Sequence, residues 1–288
     1  MSELRNITIL TKINAKETFL NPSYYIAMTI STLLGYLPIR SFIQSIGPQG
    51  FNPSQTPLFA NITQALEQLF STIMVDKLFA EGPFLFAAYC AVVPMLLYIL
   101  ISSIITYHQY KDQGVLELLR YGPLKSRSYL FSLFLINLIA LAIYCIYLIV
   151  VFYLVSRFNN LLLGPAFVGS MITLFLVSFL LCAYTLLSAV STDSSIGSIS
   201  LLLAILIIFL SVQLVTYSIV AEQVSTIASF VSLAVQWISP FFYMAMIQTG
   251  FELSSWIHIL GGATCFFGLT VIIGFISIWI QAQKESKS

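Results

Sequence analysis

The sequence predicts an all-α integral membrane protein with six transmembrane helices. Its composition is the first indication: 59% of the 288 residues are hydrophobic, 8% are charged, and the mean hydropathy is +0.95. Soluble domains carry about 25% charged residues. No stretch has the mixed composition of a soluble domain, so residues 1–288 are predicted to form a single membrane domain.

Six apolar runs are the second indication. Each is long enough to cross ~30 Å of hydrocarbon at ~1.5 Å per residue. They cover approximately residues 23–46, 84–107, 129–155, 165–190, 196–220 and 257–281. Before the first run, residues 1–20 mix apolar side chains with lysine and arginine, which predicts an interfacial helix in the headgroup layer, ended by Asn21-Pro22.

Residues 224–247 are apolar enough to be considered a seventh span. They are interrupted near Gln236, Trp237 and Pro240, which leaves two pieces of about ten residues, each ~15 Å long as a helix and therefore half a bilayer. We predict instead a re-entrant helical hairpin on the outer face before the last span. Its broken backbone requires cover by protein or by a water-filled cavity.

The distribution of positive charge is the third indication, and it predicts the orientation. Placing both termini and residues 108–127 in the cytoplasm puts nine of the twelve Lys and Arg residues inside. Arg40, Lys77 and Arg157 then lie outside. A seventh span would move both C-terminal lysines to the outer face, which also favours six spans.

Several classes of function are excluded by what the sequence lacks. A net charge of +1 with scattered basic residues argues against a nucleic-acid partner. The chain has no GxxxxGK[ST], HExxH or GxSxG motif, so we expect no catalytic site, no metal site and no cofactor bound by this chain. The spans also lack ionisable residues near their centres, which gradient-driven transporters commonly carry. Any transport would therefore draw its energy from a partner.

One segment, residues 108–127, concentrates six charged residues between two apolar runs. Asp112 can cap a helix N-terminus and Gly122-Pro123 can end it, which predicts a short helix over about residues 112–122. Its leucines share one face, and Glu117 and Arg120 lie on the other. A solvated loop between two spans is the alternative interpretation.

The same segment carries a resemblance to a known family. Gly114-Val115-Leu116-Glu117-Leu118-Leu119, followed by Pro123 and Arg127, resembles the coupling helix of ABC type-2 transporter permeases. The resemblance implies that this helix docks on a cytoplasmic ATPase. The positions that match the family, or share its polar face, are Gly114, Glu117, Leu118, Leu119, Arg120 and Pro123.

The resemblance covers nearly the whole chain, because the interfacial helix, the six spans and the outer hairpin are also similar to that family. Residues 19–25 resemble its gliding-motility-associated branch. The segment departs from the family pattern in Tyr110-Lys111-Asp112-Gln113 and in Val115, where the family favours threonine.

The resemblance implies a permease that acts as a dimer, with a second copy or a related chain, in the cytoplasmic membrane of a bacterium or archaeon. ATP and Mg²⁺ would be bound by the partner ATPase subunits, and the chain itself would contact membrane lipid. Export of an apolar or amphipathic substrate is the expected direction and class. The alternatives are a secondary transporter or channel, and a membrane scaffold or sensor subunit that transports nothing.

Overall fold

The computed structural model describes residues 3–47, 50–51, 83–115, 126–219, 235–252 and 255–287. Within these residues the regular secondary structure is helical, apart from one short antiparallel pair, β1 (Ile46–Gly47) and β2 (Gly50–Phe51). The helices are α1 (Glu3–Leu20), α2 (Pro22–Ser45), α3 (Phe84–Asp112), α4 (Ser126–Phe158), α5 (Pro165–Ser191), α6 (Ser195–Ile219), α7 (Pro240–Glu252) and α8 (Trp256–Lys287).

Six of these helices are long and apolar enough to cross a membrane, namely α2, α3, α4, α5, α6 and α8. They coincide with the six predicted spans, so the chain is a multi-pass membrane protein. The largest boundary differences are in α3, which continues five residues past the predicted end at 107, and in α8, which continues six residues past 281. Hydropathy marks the edge of the hydrocarbon, whereas backbone hydrogen bonds extend a helix beyond that edge.

The predicted N-terminal helix is present as α1. It ends at Leu20, and only Asn21 separates it from Pro22, the first residue of α2. Proline is well tolerated at a first helical position because its missing N–H has no partner there in any helix. One side of α1 is buried at Asn6, Leu10 and Asn14, spaced four residues apart.

The described chain divides into two compact units. The first contains residues 1–22, 97–141 and 175–288, and the second contains residues 23–96 and 142–174. The helices α3, α4 and α5 therefore contribute one part to each unit.

The second unit is packed around small residues and aromatic rings. A Cβ atom on Gly35 of α2 would lie 2.6 Å from the Ala91 Cβ atom of α3, so these two helices approach closely at a position where only glycine fits. Phe84, Phe152 and Phe167 form a cluster with ring centroids 5.8 to 6.3 Å apart. Such edge and tilted arrangements are favourable for aromatic rings.

In the first unit, α7 packs along the beginning of α8. A Cβ atom on Gly262 would lie 2.8 Å from Ile247 Cγ1, and one on Gly250 would lie 2.7 Å from Ile259 Cγ1. As the α7 residue number falls, the number of its α8 partner rises, which makes the pair antiparallel. The predicted second half of the hairpin is therefore a helix, and it extends to Glu252, beyond the predicted end at 247. The predicted end lies where the run of apolar residues ends, whereas the helix continues through the next five residues before the connection to α8.

Candidate functional site

The predicted coupling helix is described only at its beginning. Gly114 and Val115 belong to the described residues, whereas the remaining predicted positions lie outside them. These positions are Glu117, Leu118, Leu119, Arg120 and Pro123.

The end of α3 corrects the predicted start of this helix. Asp112 is the last residue of α3 and does not cap a following helix. Gln113 N donates to the Gln109 carbonyl at 3.0 Å, and Gly114 N donates to the Lys111 carbonyl at 3.0 Å. Gly114 has φ +70°, a left-handed conformation that commonly terminates helices and that glycine adopts without strain. Helical backbone resumes only at Val115.

An exposed ion-pair cluster lies beside the last turn of α3. Asp193, in the short connection between α5 and α6, accepts hydrogen bonds through Oδ1 from Lys111 Nζ and Lys284 Nζ, each at 3.0 Å. We call these three residues the Asp193 clasp. Lys284 and Lys111 together lower the pKa of the Asp193 carboxyl to about 2. The clasp thus joins the ends of α3 and α8 to the α5–α6 connection.

Buried hydrogen bonds also join the end of α3 to α6 and to α8. The ring atom Nε2 of His108 lies 2.7 Å from Ser198 Oγ, and Ser198 Oγ is also hydrogen-bonded to Thr192 Oγ1. Tyr107 OH donates to Gln281 Oε1 at 2.7 Å. Hydrogen bonds of this kind, removed from water, hold their partners in one arrangement more firmly than exposed ones.

Two further elements hold α3 near the same turn. Tyr110 OH lies 2.6 and 2.7 Å from the two carboxylate oxygens of Glu17, at the end of α1. The Tyr110 ring also packs against Tyr129 of α4, with centroids 5.3 Å apart. Asn14 of α1 donates to Ser132 Oγ of α4 at 2.8 Å. The residues just before Gly114 are therefore in contact with α1, α4, the α5–α6 connection and α8.

The second predicted site is the break near Gln236, Trp237 and Pro240. Residues 235–238 are helical, Ser239 is not, and Pro240 begins α7, so the break lies at Ser239. The preceding half of the predicted hairpin, up to residue 234, lies outside the described residues.

The broken backbone at Ser239 is covered by protein hydrogen bonds. Tyr243 OH donates to the Trp237 carbonyl at 2.7 Å, and Tyr184 OH of α5 donates to the Ile238 carbonyl at 2.8 Å. Ser239 Oγ accepts from Phe241 N at 3.3 Å, as an N-cap side chain does. These bonds satisfy groups that the helix break would otherwise leave without partners.

In the structure, Gly114 thus directly follows residues that belong to a polar cluster. The break at Ser239 is covered by Tyr184 and Tyr243. Sequence reasoning did not find Asp193, Lys284 or Tyr184. A signal existed for Asp193, which is the only charged residue between Arg157 and Glu222. No group of three or more His, Cys, Asp or Glu residues in the described part of the chain could hold a metal ion.

Comparison of the chain with protein-family models, with curated proteins and with solved structures finds no match.

Proposed function

We propose that this multi-pass membrane protein is the permease subunit of an ATP-binding-cassette transporter and receives force from separate ATPase subunits at residues 114–123. One observation carries the proposal. The motif resembling a coupling helix begins at Gly114, directly after a helical turn that is hydrogen-bonded or ion-paired to three other elements of the first unit, through Glu17, Asp193 and Gln281. A displacement of the segment would therefore reach several helices at once.

In the proposed mechanism, the partner ATPases bind and hydrolyse ATP with Mg²⁺, and this chain binds neither. Glu117 and Arg120 form the polar part of the docking surface, and Leu118 and Leu119 form its apolar part. Pro123 ends the helix. Movement of this helix displaces the last turn of α3, and the Asp193 clasp conveys that displacement to α6 and α8.

The proposed orientation places the Asp193 clasp and both termini in the cytoplasm of a bacterial or archaeal cell. This assignment rests on the excess of lysine and arginine at that end.

The contacts of the first unit support a re-entrant hairpin before α8. Helix α6 begins beside Asp193, and α8 returns to Asp193 through Lys284. The connection between α6 and α8 must therefore begin and end on the side opposite Asp193. The Ile238 carbonyl bonds to Tyr184, only seven residues before the end of α5, so this connection reaches deep between the helices.

The remaining parts of the proposal follow from the resemblance and the composition of the spans. The permease would act as a dimer, with itself or with a related chain, and the substrate path would lie at the dimer interface. An apolar or amphipathic substrate fits spans without charged residues at their centres. Export is the direction that the resemblance implies.

Purification of the tagged chain from its native membrane, followed by identification of co-purifying proteins, tests the proposal. We expect a chain carrying an ATP-binding site to co-purify and to hydrolyse ATP. Glu117→Lys should leave the permease folded and lower recovery of the ATPase by about tenfold, since it would reverse a charge at the proposed docking interface. The matched control is Asp112→Lys, which reverses an exposed charge at the end of α3, just before the proposed docking segment.

Three results would count against this proposal. A purified chain that conducts ions or moves a solute without any ATPase would indicate a secondary transporter or channel. An ATPase that docks while no substrate moves would indicate a scaffold or sensor subunit. Full ATPase recovery with Glu117→Lys would argue against residues 114–123 as the docking helix.

A further inference from the structure

Helix α1 has a buried side that fixes it to the first unit. Asn6, Leu10 and Asn14 are buried, and Asn14 is hydrogen-bonded to Ser132 of α4. Glu17 faces Tyr110 and accepts its hydroxyl hydrogen bond. The rotation of α1 about its own axis is therefore set by these contacts, and so is the identity of the residues that it leaves exposed.

Outside this buried side, α1 carries two adjacent stripes of exposed residues. At ~100° per residue, the three cations Arg5, Lys12 and Lys16 fall within an arc of ~40°. The next ~40° holds three exposed apolar residues: Ile9, Ile13 and Leu20, which are 42%, 48% and 70% exposed. None of the three cations forms an ion pair with another residue that the structure describes.

This arrangement matches the boundary between lipid headgroups and acyl chains. An apolar stripe beside a basic stripe allows a helix to lie with one edge in hydrocarbon and the other among phosphates. The position along the chain agrees, because only Asn21 separates α1 from α2, which begins a candidate membrane span at Pro22. Leu20, the most exposed of the apolar residues, is also the nearest to that span.

We infer that the Arg5, Lys12 and Lys16 stripe binds the headgroups of anionic phospholipids, while Ile9, Ile13 and Leu20 enter the acyl layer beneath them. Charge complementarity supports this occupant, since three cations lie together and the nearby carboxylate of Glu17 is engaged by Tyr110. Because α1 is fixed to α3 and α4, bound lipid would stabilise the whole first unit. The inference does not depend on an ATPase partner.

The experiment uses the full-length protein purified in a neutral detergent and titrated with phosphatidylglycerol or phosphatidylcholine at equal mole fractions. Thermal unfolding and native mass spectrometry report stabilisation and bound lipid. We expect phosphatidylglycerol to raise the unfolding temperature more than phosphatidylcholine does, and the difference to shrink in ~0.5 M salt, where charges are screened within a few ångströms.

Arg5→Gln/Lys12→Gln/Lys16→Gln should weaken the apparent affinity for phosphatidylglycerol about tenfold or more, because each basic residue contributes to attraction by an anionic surface. Arg5→Lys/Lys12→Arg/Lys16→Arg keeps all three charges and should retain the affinity. Ile9→Ser/Ile13→Ser should weaken binding of both lipids.

Three results would overturn the inference. Equal stabilisation by the two lipids would show that the headgroup charge is not recognised. An unchanged response in the triple glutamine variant would place the lipid elsewhere on the protein. Stabilisation by inorganic phosphate or by an acidic peptide that equals the effect of phosphatidylglycerol would indicate a different occupant of the stripe.

Discussion

Gly114 combines a left-handed backbone conformation with open surroundings. Its φ is +70°, and a Cβ atom added there would meet nothing within 4 Å. A side chain at this position would therefore cause backbone strain without any steric clash. The glycine is required by the conformation that ends α3 and not by packing.

Gly114→Ala should lower the free energy of unfolding by about 1 kcal/mol, because an L-residue in this conformation is strained. Gly114→Asn should recover much of that loss, since asparagine tolerates the left-handed region. The measurement is unfolding of the purified protein in detergent. Gly268→Ala is the control: it also has nothing within 4 Å, but it lies inside α8 at an ordinary φ, so alanine should be neutral or stabilising. A loss at Gly268 equal to that at Gly114 would contradict this explanation.

Asp193 has a pKa lowered to about 2 by Lys284 and Lys111. Because the pKa is lower in the folded protein, the ion pairs stabilise the fold at pH values above the unfolded pKa of about 4. This stabilisation is lost as the pH falls towards 2. The side chain of Asp193 is 82% exposed, so the contribution should not exceed about 1 kcal/mol.

Asp193→Asn should therefore change the stability only slightly at pH 7 and flatten the rise in stability between about pH 2 and pH 4. Unfolding midpoints measured across this pH range test the prediction. Asp112→Asn provides the control, since Asp112 is exposed and forms no ion pair with another described residue. If both variants flattened the profile equally, the effect would come from total charge and not from the clasp.

At the scale of the helices, the sequence predicted the presence of all six spans and the N-terminal helix. Long apolar runs determine such helices almost independently of their neighbours, because in a bilayer each backbone group must find its partner within the same helix. The ends of α3 and α8 were less predictable, since they continue into polar sequence where hydropathy carries no signal.

The break at Ser239 shows a different limit of prediction. Pro240 indicated the break, but the group that covers it comes from Tyr184, 54 residues earlier in the chain. A tyrosine inside an apolar span looks like any other core aromatic residue. Only the packing of α5 against this backbone gives its hydroxyl a partner, and the same is true of the contacts made by Asp193.

Tyr184→Phe should destabilise the protein by about 1–3 kcal/mol, because it leaves the Ile238 carbonyl without its side-chain donor. Detergent unfolding of the variant measures this loss. Tyr129→Phe is a matched control, since the Tyr129 hydroxyl is buried and has no hydrogen-bond partner among the described residues. Its removal should be neutral or stabilising. Equal losses in the two variants would indicate that ring packing, and not the hydroxyl, matters at Tyr184.

At the scale of the whole chain, six candidate spans predict that both ends of the chain lie on the same side of the membrane. The contacts of Asp193 with Lys111 and Lys284 require the end of α3, the α5–α6 connection and the end of α8 to lie on one side. The α4–α5 connection, at the other end of α5 along the chain, contains Leu162, which is 92% exposed. The even number of spans, which the apolar runs and the distribution of charge both favour, agrees with these contacts.

Cysteine labelling tests the resulting topology. In a chain whose four native cysteines are replaced by alanine, we expect an impermeant maleimide added to intact cells to label Leu162→Cys. Ser194→Cys, beside Asp193, should be labelled only after the membrane is opened. Both sites are exposed, so a difference in labelling reports the side of the membrane and not burial. Labelling of both residues from outside would contradict the proposed topology.

A single carboxylate oxygen serves two lysines from opposite parts of the chain. Lys111 and Lys284 both reach Asp193 Oδ1, and no second described acid is paired with either. If the ends of α3 and α8 move apart, the Asp193 carboxylate can stay paired with only one of the two lysines. The other lysine then exchanges its ion pair for contact with water. The Asp193 carboxylate can therefore either hold the ends of α3 and α8 together or remain paired with only one of them after they separate.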